Sequence, residues 1–221
     1  KVIDFQGNTD LGDISGQTFV NLMHPGVQTT IGDYCAELAS GYPGLWGIQT
    51  DYHRFPLDNN TSDGNPGPYS YDSWSRQIFQ IVTGFDPINF GPSPSGQLWD
   101  QFTAFRRSGI AECAGVMQNR IDLADSGIQF SGAIFAQATS NPSQFVKMQD
   151  WPTMAANGWL PYGVPMAYGT STSSIGNDLS SAINQASGAR VVPGLAILTN
   201  ISRPSITAQL TTAADRDLHG I

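Results

Sequence analysis

Short apolar runs alternate with longer stretches of helical periodicity along almost the whole chain, and this alternation limits the fold more than any other feature. Residues 45–48, 128–136, 162–168 and 190–198 read as buried strands, with 219–221 as the start of a fifth. Between them, 27–40, 72–82, 98–124, 150–156, 177–186 and 205–218 read as helices; in the first, Val27, Ile31, Tyr34, Cys35 and Leu38 recur at helical spacing. Punctuation agrees with these bounds. Pro25 stands near one helix start and Gly41 at its end, Asp72 or Ser73 caps the next and Gly84 stops it, and Asp150 is a cap followed by Pro152. Gly109 and Gly115 weaken the middle of the longest helix. Such a chain folds as an α/β protein with a parallel sheet and right-handed crossovers. Residues 1–22 instead resemble a hairpin-like loop, and the polar stretch 57–71 reads as a surface loop that would wall a cleft.

The 221 residues suffice for one large domain, and 24 glycines with 14 prolines suit strands joined by many turns. A formal charge of −8, with Lys1 and Lys147 the only lysines, sets aside nucleic acid and anionic membrane surfaces as partners. No apolar run approaches the roughly 20 residues of a membrane helix, and no signal-peptide pattern is visible. Beginning at Lys1 without Met, the sequence is expected to be a processed or excised piece. Cys35 and Cys113 fall on separate expected helices and suit one disulfide or two buried thiols, the thiols being favoured. The lysine-poor surface, rich in Ser, Thr, Asn and Gln, leans towards an extracellular or cell-envelope setting.

Chemistry concentrates in residues 44–56, GLWGIQTDYHRFP, where an apolar run ends in ionisable and aromatic groups. Ligands of parallel-sheet folds bind outside the carboxyl ends of the strands, so Asp51 is the first candidate for a working carboxylate. Partial burial would raise its pKa, and His53 or Arg54 would tune it the other way; alternatively Asp51 only salt-bridges Arg54. Asp150, after the next strand, is the candidate partner or merely a helix cap. Asp58, Asp63 and Asp72 in or beside the long loop are further carboxylates that could approach. Among the tryptophans, Trp151 near a strand end is the better stacking platform, together with Tyr168. Asp51-x-His53 lacks a third ligand of suitable spacing, so no metal is expected. No G-x-S-x-G, G-x-G-x-x-G or Walker loop is present, and no cofactor is expected.

The same stretch resembles the strand-end motif of the bacterial family-10-like glycosyl hydrolases, which reads approximately G-I-x-x-D-(D/Y)-x-x-x-P. Further segments are similar in the same order: Asn21-Leu22-Met23-His24-Pro25-Gly26-Val27 to N-P-x-H-P-x-V, Phe105-Arg106-Arg107 to W-R-R, Gln149-Asp150-Trp151 to Q-D-W, and Gly158-Trp159-Leu160 with Val164-Pro165-Met166-Ala167-Tyr168 to G-x-(L/I)…V-P-x-x-Y. The resemblance implies a (β/α)8 barrel of the TIM type, here incomplete, with about strands 4 to 7 and the start of 8 in one domain over residues 1–221. It implies cleavage of a polysaccharide or oligosaccharide, with Asp51 as general acid, Asp150 as second carboxylate, and Tyr52, His53, Arg54, Trp151 and Tyr168 touching the sugar. The alternative is a non-catalytic carbohydrate-binding or assembly subunit. Met166-Ala167-Tyr168 also looks like the M-x-Y strand end of chitinase-type barrels, with Gly169 where their acid follows. Missing barrel segments would come from a homo-oligomer or another chain.

Overall fold

The His24 imidazole starts the first helix: its Nδ1 accepts the Gly26 amide at 3.1 Å, satisfying one of the orphan N–H groups at the start of helix α1 (Pro25–Gly41). In the computed structural model, which describes residues 2–5, 7, 19–55, 69–91, 96–136, 148–169, 171–196, 203–216 and 218, the elements then follow in α/β order. They are β1 (Gly47–Thr50), α2 (Ser73–Thr83), a 3-10 turn (Pro87–Asn89), α3 (Gln97–Ala124), β2 (Gln129–Ile134), α4 (Trp151–Ala156), β3 (Tyr162–Ala167), α5 (Thr172–Gln185), β4 (Arg190–Val191), β5 (Gly194–Leu195) and α6 (Arg203–Ala214). Asp72 caps α2 by accepting the Ser75 amide, and Gly84 ends it in the left-handed conformation at φ 83°.

All strand pairs are parallel, in the order β1-β2-β3-β4, with β5 also on β3. The sheet is open rather than closed, with β1 at one edge. Burial alternates along the strands because the helices cover one face. Ile48, Phe130 and Ile134 pack with Cys35, Ile110 and Met117 of α1 and α3, and Ala167 packs with Ile175, Leu179 and Ala213 of α5 and α6. On the opposite face Gln49 is exposed and Ser131, Val164 and Met166 are half-buried. Cys35 and Cys113 are free and buried, and burial together with the neighbouring Cys35 pushes the Cys113 thiol up to about 12.

Several expectations change in detail. The stretch read as a fourth strand over 190–198 divides in two while keeping one register, Tyr162 opposite Arg190 and Met166 opposite Gly194. Val192 still donates to the Gly163 carbonyl at 3.0 Å, but Pro193 has no N–H to continue the ladder. The last part of the supposed surface loop 57–71 is core: Tyr69, Ser70 and Tyr71 are buried, and Tyr69 bridges antiparallel to Asp4. Helix α5 starts at Thr172, ahead of the expected 177, because the Ser171 hydroxyl accepts the Ser174 amide and turns a Ser/Thr run into a helical first turn. The expected strand at 219–221 and most of the hairpin-like loop, residues 8–18, lie outside the described residues.

Gly109 and Gly115 are packing sites as well as weak helix formers. A Cβ at Gly109 would lie 2.8 Å from Met23 Cγ, and one at Gly115 2.9 Å from the Trp159 indole. Each glycine costs the helix about 1 kcal/mol relative to Ala and lets a neighbouring segment lie against α3.

Candidate active site

Strand β1 delivers Asp51 and Tyr52 to its carboxyl end, and the chain turns there at once. Tyr52 has φ 52°, left-handed backbone that a bulky residue rarely adopts, and its amide donates to Asp51 Oδ1 at 2.7 Å. A cleft of about 200 Å³ opens at this point across the ends of β1, β2 and β3, lined by Asp51, Tyr52, Arg54, Ala133, Phe135, Gln149, Met166 and Tyr168. Asp51 is exposed, contrary to the partial burial expected of it. Among the described residues no ion pair joins it to Arg54. The Arg54 guanidinium is instead buried 4.8 Å from the Tyr52 ring centre, 5.6 Å from Phe19 and 5.9 Å from Phe135, and donates to the Phe55 carbonyl at 2.8 Å. It supports the Tyr52 ring from below.

His53 points the other way. It is buried, and its Nε2 lies 2.8 Å from the Ile110 carbonyl, an acceptor, so that nitrogen carries the proton. Burial lowers its pKa against the opposing effect of that bond, which keeps the ring neutral. Its expected contact with sugar is therefore replaced by a tie from β1 to α3, although its ring also borders a second cavity of about 250 Å³ beside Asp51 and Tyr52.

The Gln149-Asp150-Trp151 segment builds the wall of the cleft. Gln149 clamps the end of β2, its Oε1 accepting the Phe135 amide at 2.8 Å and its Nε2 donating to the Ala133 carbonyl at 3.0 Å. Asp150 caps α4 through the Thr153 amide and accepts from Arg107 at 2.6 Å, and it is not among the cleft's lining residues. Trp151 is wholly buried, with Nε1 donating to the Phe135 carbonyl at 2.8 Å, so it is no stacking platform. Tyr168, by contrast, is 56% exposed at the end of β3. Asp72 is likewise occupied, accepting from Asn21, Ser75 Oγ and the Ser75 amide. Arg106 is core too: it lies 4.5 Å from the Phe102 ring centre, donates to the Tyr69 carbonyl, and is lowered to about 10 by burial. Asp58 and Asp63 lie outside the described residues.

Four of the expected residues thus meet at one cleft, Asp51, Tyr52, Arg54 and Tyr168, while His53, Asp150 and Trp151 hold the scaffold around it. Ala133, Phe135, Gln149 and Met166 complete the lining and are not among the expected site residues. The period of two along β2 and β3 would have found three of them, since 133, 135, 166 and 168 share the face opposite the helices. A larger groove of about 580 Å³ between α2 and α3 is lined by Phe79, Val82, Phe85, Leu98 and Phe105 among others and by no ionisable side chain. Among the described residues no three His, Cys, Asp or Glu side chains are grouped to hold a metal ion, and no helix is long and apolar enough to cross a membrane. No protein-family model matches the chain, and no curated protein matches it.

Proposed function

We propose that this chain is a glycoside hydrolase-like domain that takes a carbohydrate chain across the carboxyl ends of β1, β2 and β3, with Asp51 as its acid. One observation carries the reading: among the described residues Asp51 is the one carboxylate that lines the cleft, together with the exposed Tyr52 and Tyr168, whereas Asp72 and Asp150 are taken up by structural bonds. Exposed aromatic faces beside a carboxylate suit the alternating C–H and hydroxyl surfaces of a sugar. Helices on one face of an open parallel sheet are also what an arc of a (β/α) barrel would show. An extracellular or cell-envelope polysaccharide is the proposed substrate.

In such a site protonated Asp51 would give its proton to the departing glycosidic oxygen. Glycosidases usually bring a second carboxylate, and the described lining residues contain none. An N-acetylated sugar would supply its own acetamido oxygen as nucleophile at the anomeric carbon, which water later releases. Asp51 as the one carboxylate among the described lining residues would also suit one other reading, a carbohydrate-binding subunit without catalysis. Sugar release and sugar binding measured on the same polysaccharides separate the two: cleavage that depends on Asp51 supports the hydrolase, and binding without cleavage supports the subunit.

A further inference from the structure

At the amino ends of the strands, away from Asp51, the uncovered face of the sheet carries a second row of functional groups. Tyr162 and Arg190, the first residues of β3 and β4, are register partners, so their side chains rise side by side. Arg190 Nη1 donates to the Tyr162 hydroxyl at 2.7 Å, and the guanidinium lies 5.4 Å from the Tyr162 ring centre. Trp46, just before β1, meets the Tyr162 ring edge-on at 5.8 Å and is 70% exposed. A cavity of about 330 Å³ runs from Gln129, Tyr162 and Arg190 over the small residues Gly158, Gly188 and Ala189.

We propose that this row is a binding site for a carboxylate borne on a six-membered ring, as in an acidic sugar or an aromatic acid. A guanidinium has five N–H donors in a rigid fork, and here one is spent on Tyr162, which fixes the plane of the others. Among the described residues no carboxylate pairs with Arg190, although the chain has 18 acidic residues against 10 basic ones. The exposed Trp46 indole, which shares the Tyr162 ring with this fork, offers its flat face to the ring that bears the carboxylate. Among the described lining residues Arg190 is the one cation, and in a chain of net charge −8 that suits a monoanion and disfavours phosphates of higher charge.

The test follows the Trp46 indole N–H signal by NMR, assigned with Trp46→Phe, while glucuronate, benzoate, glucose or inorganic phosphate is added to the whole chain. At least one of the two ring acids shifts that signal, and which one does so identifies the source. Arg190→Gln weakens the binding by about tenfold or more, Arg190→Lys recovers only part of it because the fork is gone, and Asp51→Asn leaves it unchanged. The proposal is overturned if neither acid shifts the signal up to about 50 mM. It is equally overturned if glucose or phosphate binds as well as the acids, or if Arg190→Gln binds as wild type does.

Discussion

Arg107 of α3 donates to Asp150, the N-cap of α4, at 2.6 Å, and this pair fixes the wall behind the cleft. Its two side chains are 22% and 15% exposed, so solvent screens the pair only in part. Asp150→Asn keeps a good cap but loses the charge pair, and is expected to cost about 1–2 kcal/mol in urea denaturation; Asp150→Ala loses the cap as well and costs about 1 kcal/mol more. Neither change removes a group from the cleft lining, so sugar binding or cleavage by the folded variants should stay within a few-fold of wild type.

His53 predicts a pH dependence of stability. Its pKa in the fold lies below the ordinary 6.5, so on acidification the unfolded chain takes up a proton that the folded one refuses. Stability from this residue is complete above 6.5 and falls as the pH drops below it, by at most about 1.4 kcal/mol per pH unit until the folded value is reached. Melting temperatures of wild type and His53→Gln between pH 7.5 and 5.5 check this: the wild type should lose more on acidification, and parallel curves would refute it.

Gly115→Ala should destabilise although Ala is the better helix former. The added methyl meets the Trp159 indole at 2.9–3.0 Å, and the displacement outweighs a propensity gain of about 1 kcal/mol. Chemical denaturation followed by circular dichroism measures the balance, and a net gain in stability would mean that the segment around Trp159 yields freely.

The order of elements was legible in the sequence because periodicity and caps agree: Pro25, Asp72, Gly84 and Asp150 all stand where helices α1, α2 and α4 begin or end. Less legible were breaks decided by one atom, such as the missing N–H of Pro193, and burial decided by distant partners, as for Tyr69 to Tyr71. At the site, the strand end located Asp51, but residue type alone could not separate a carboxylate that faces a cleft from one held by Arg107. Nor could it show that Trp151 spends its N–H on the Phe135 carbonyl while Trp46 stands open. Such distinctions depend on which side of an element a residue falls, and a one-residue shift reverses them.

Release of reducing ends reports whether Asp51 does chemistry on a sugar. Wild type and Asp51→Asn would be compared on β-glucans, chitin and poly-glucosamine, with both proteins shown to be folded. Wild type is expected to release sugar from at least one of these and the variant to lose about 100-fold or more of that rate, the usual scale for removing an acid catalyst. Equal rates in the two proteins, or no release by the wild type from any of them, would contradict it.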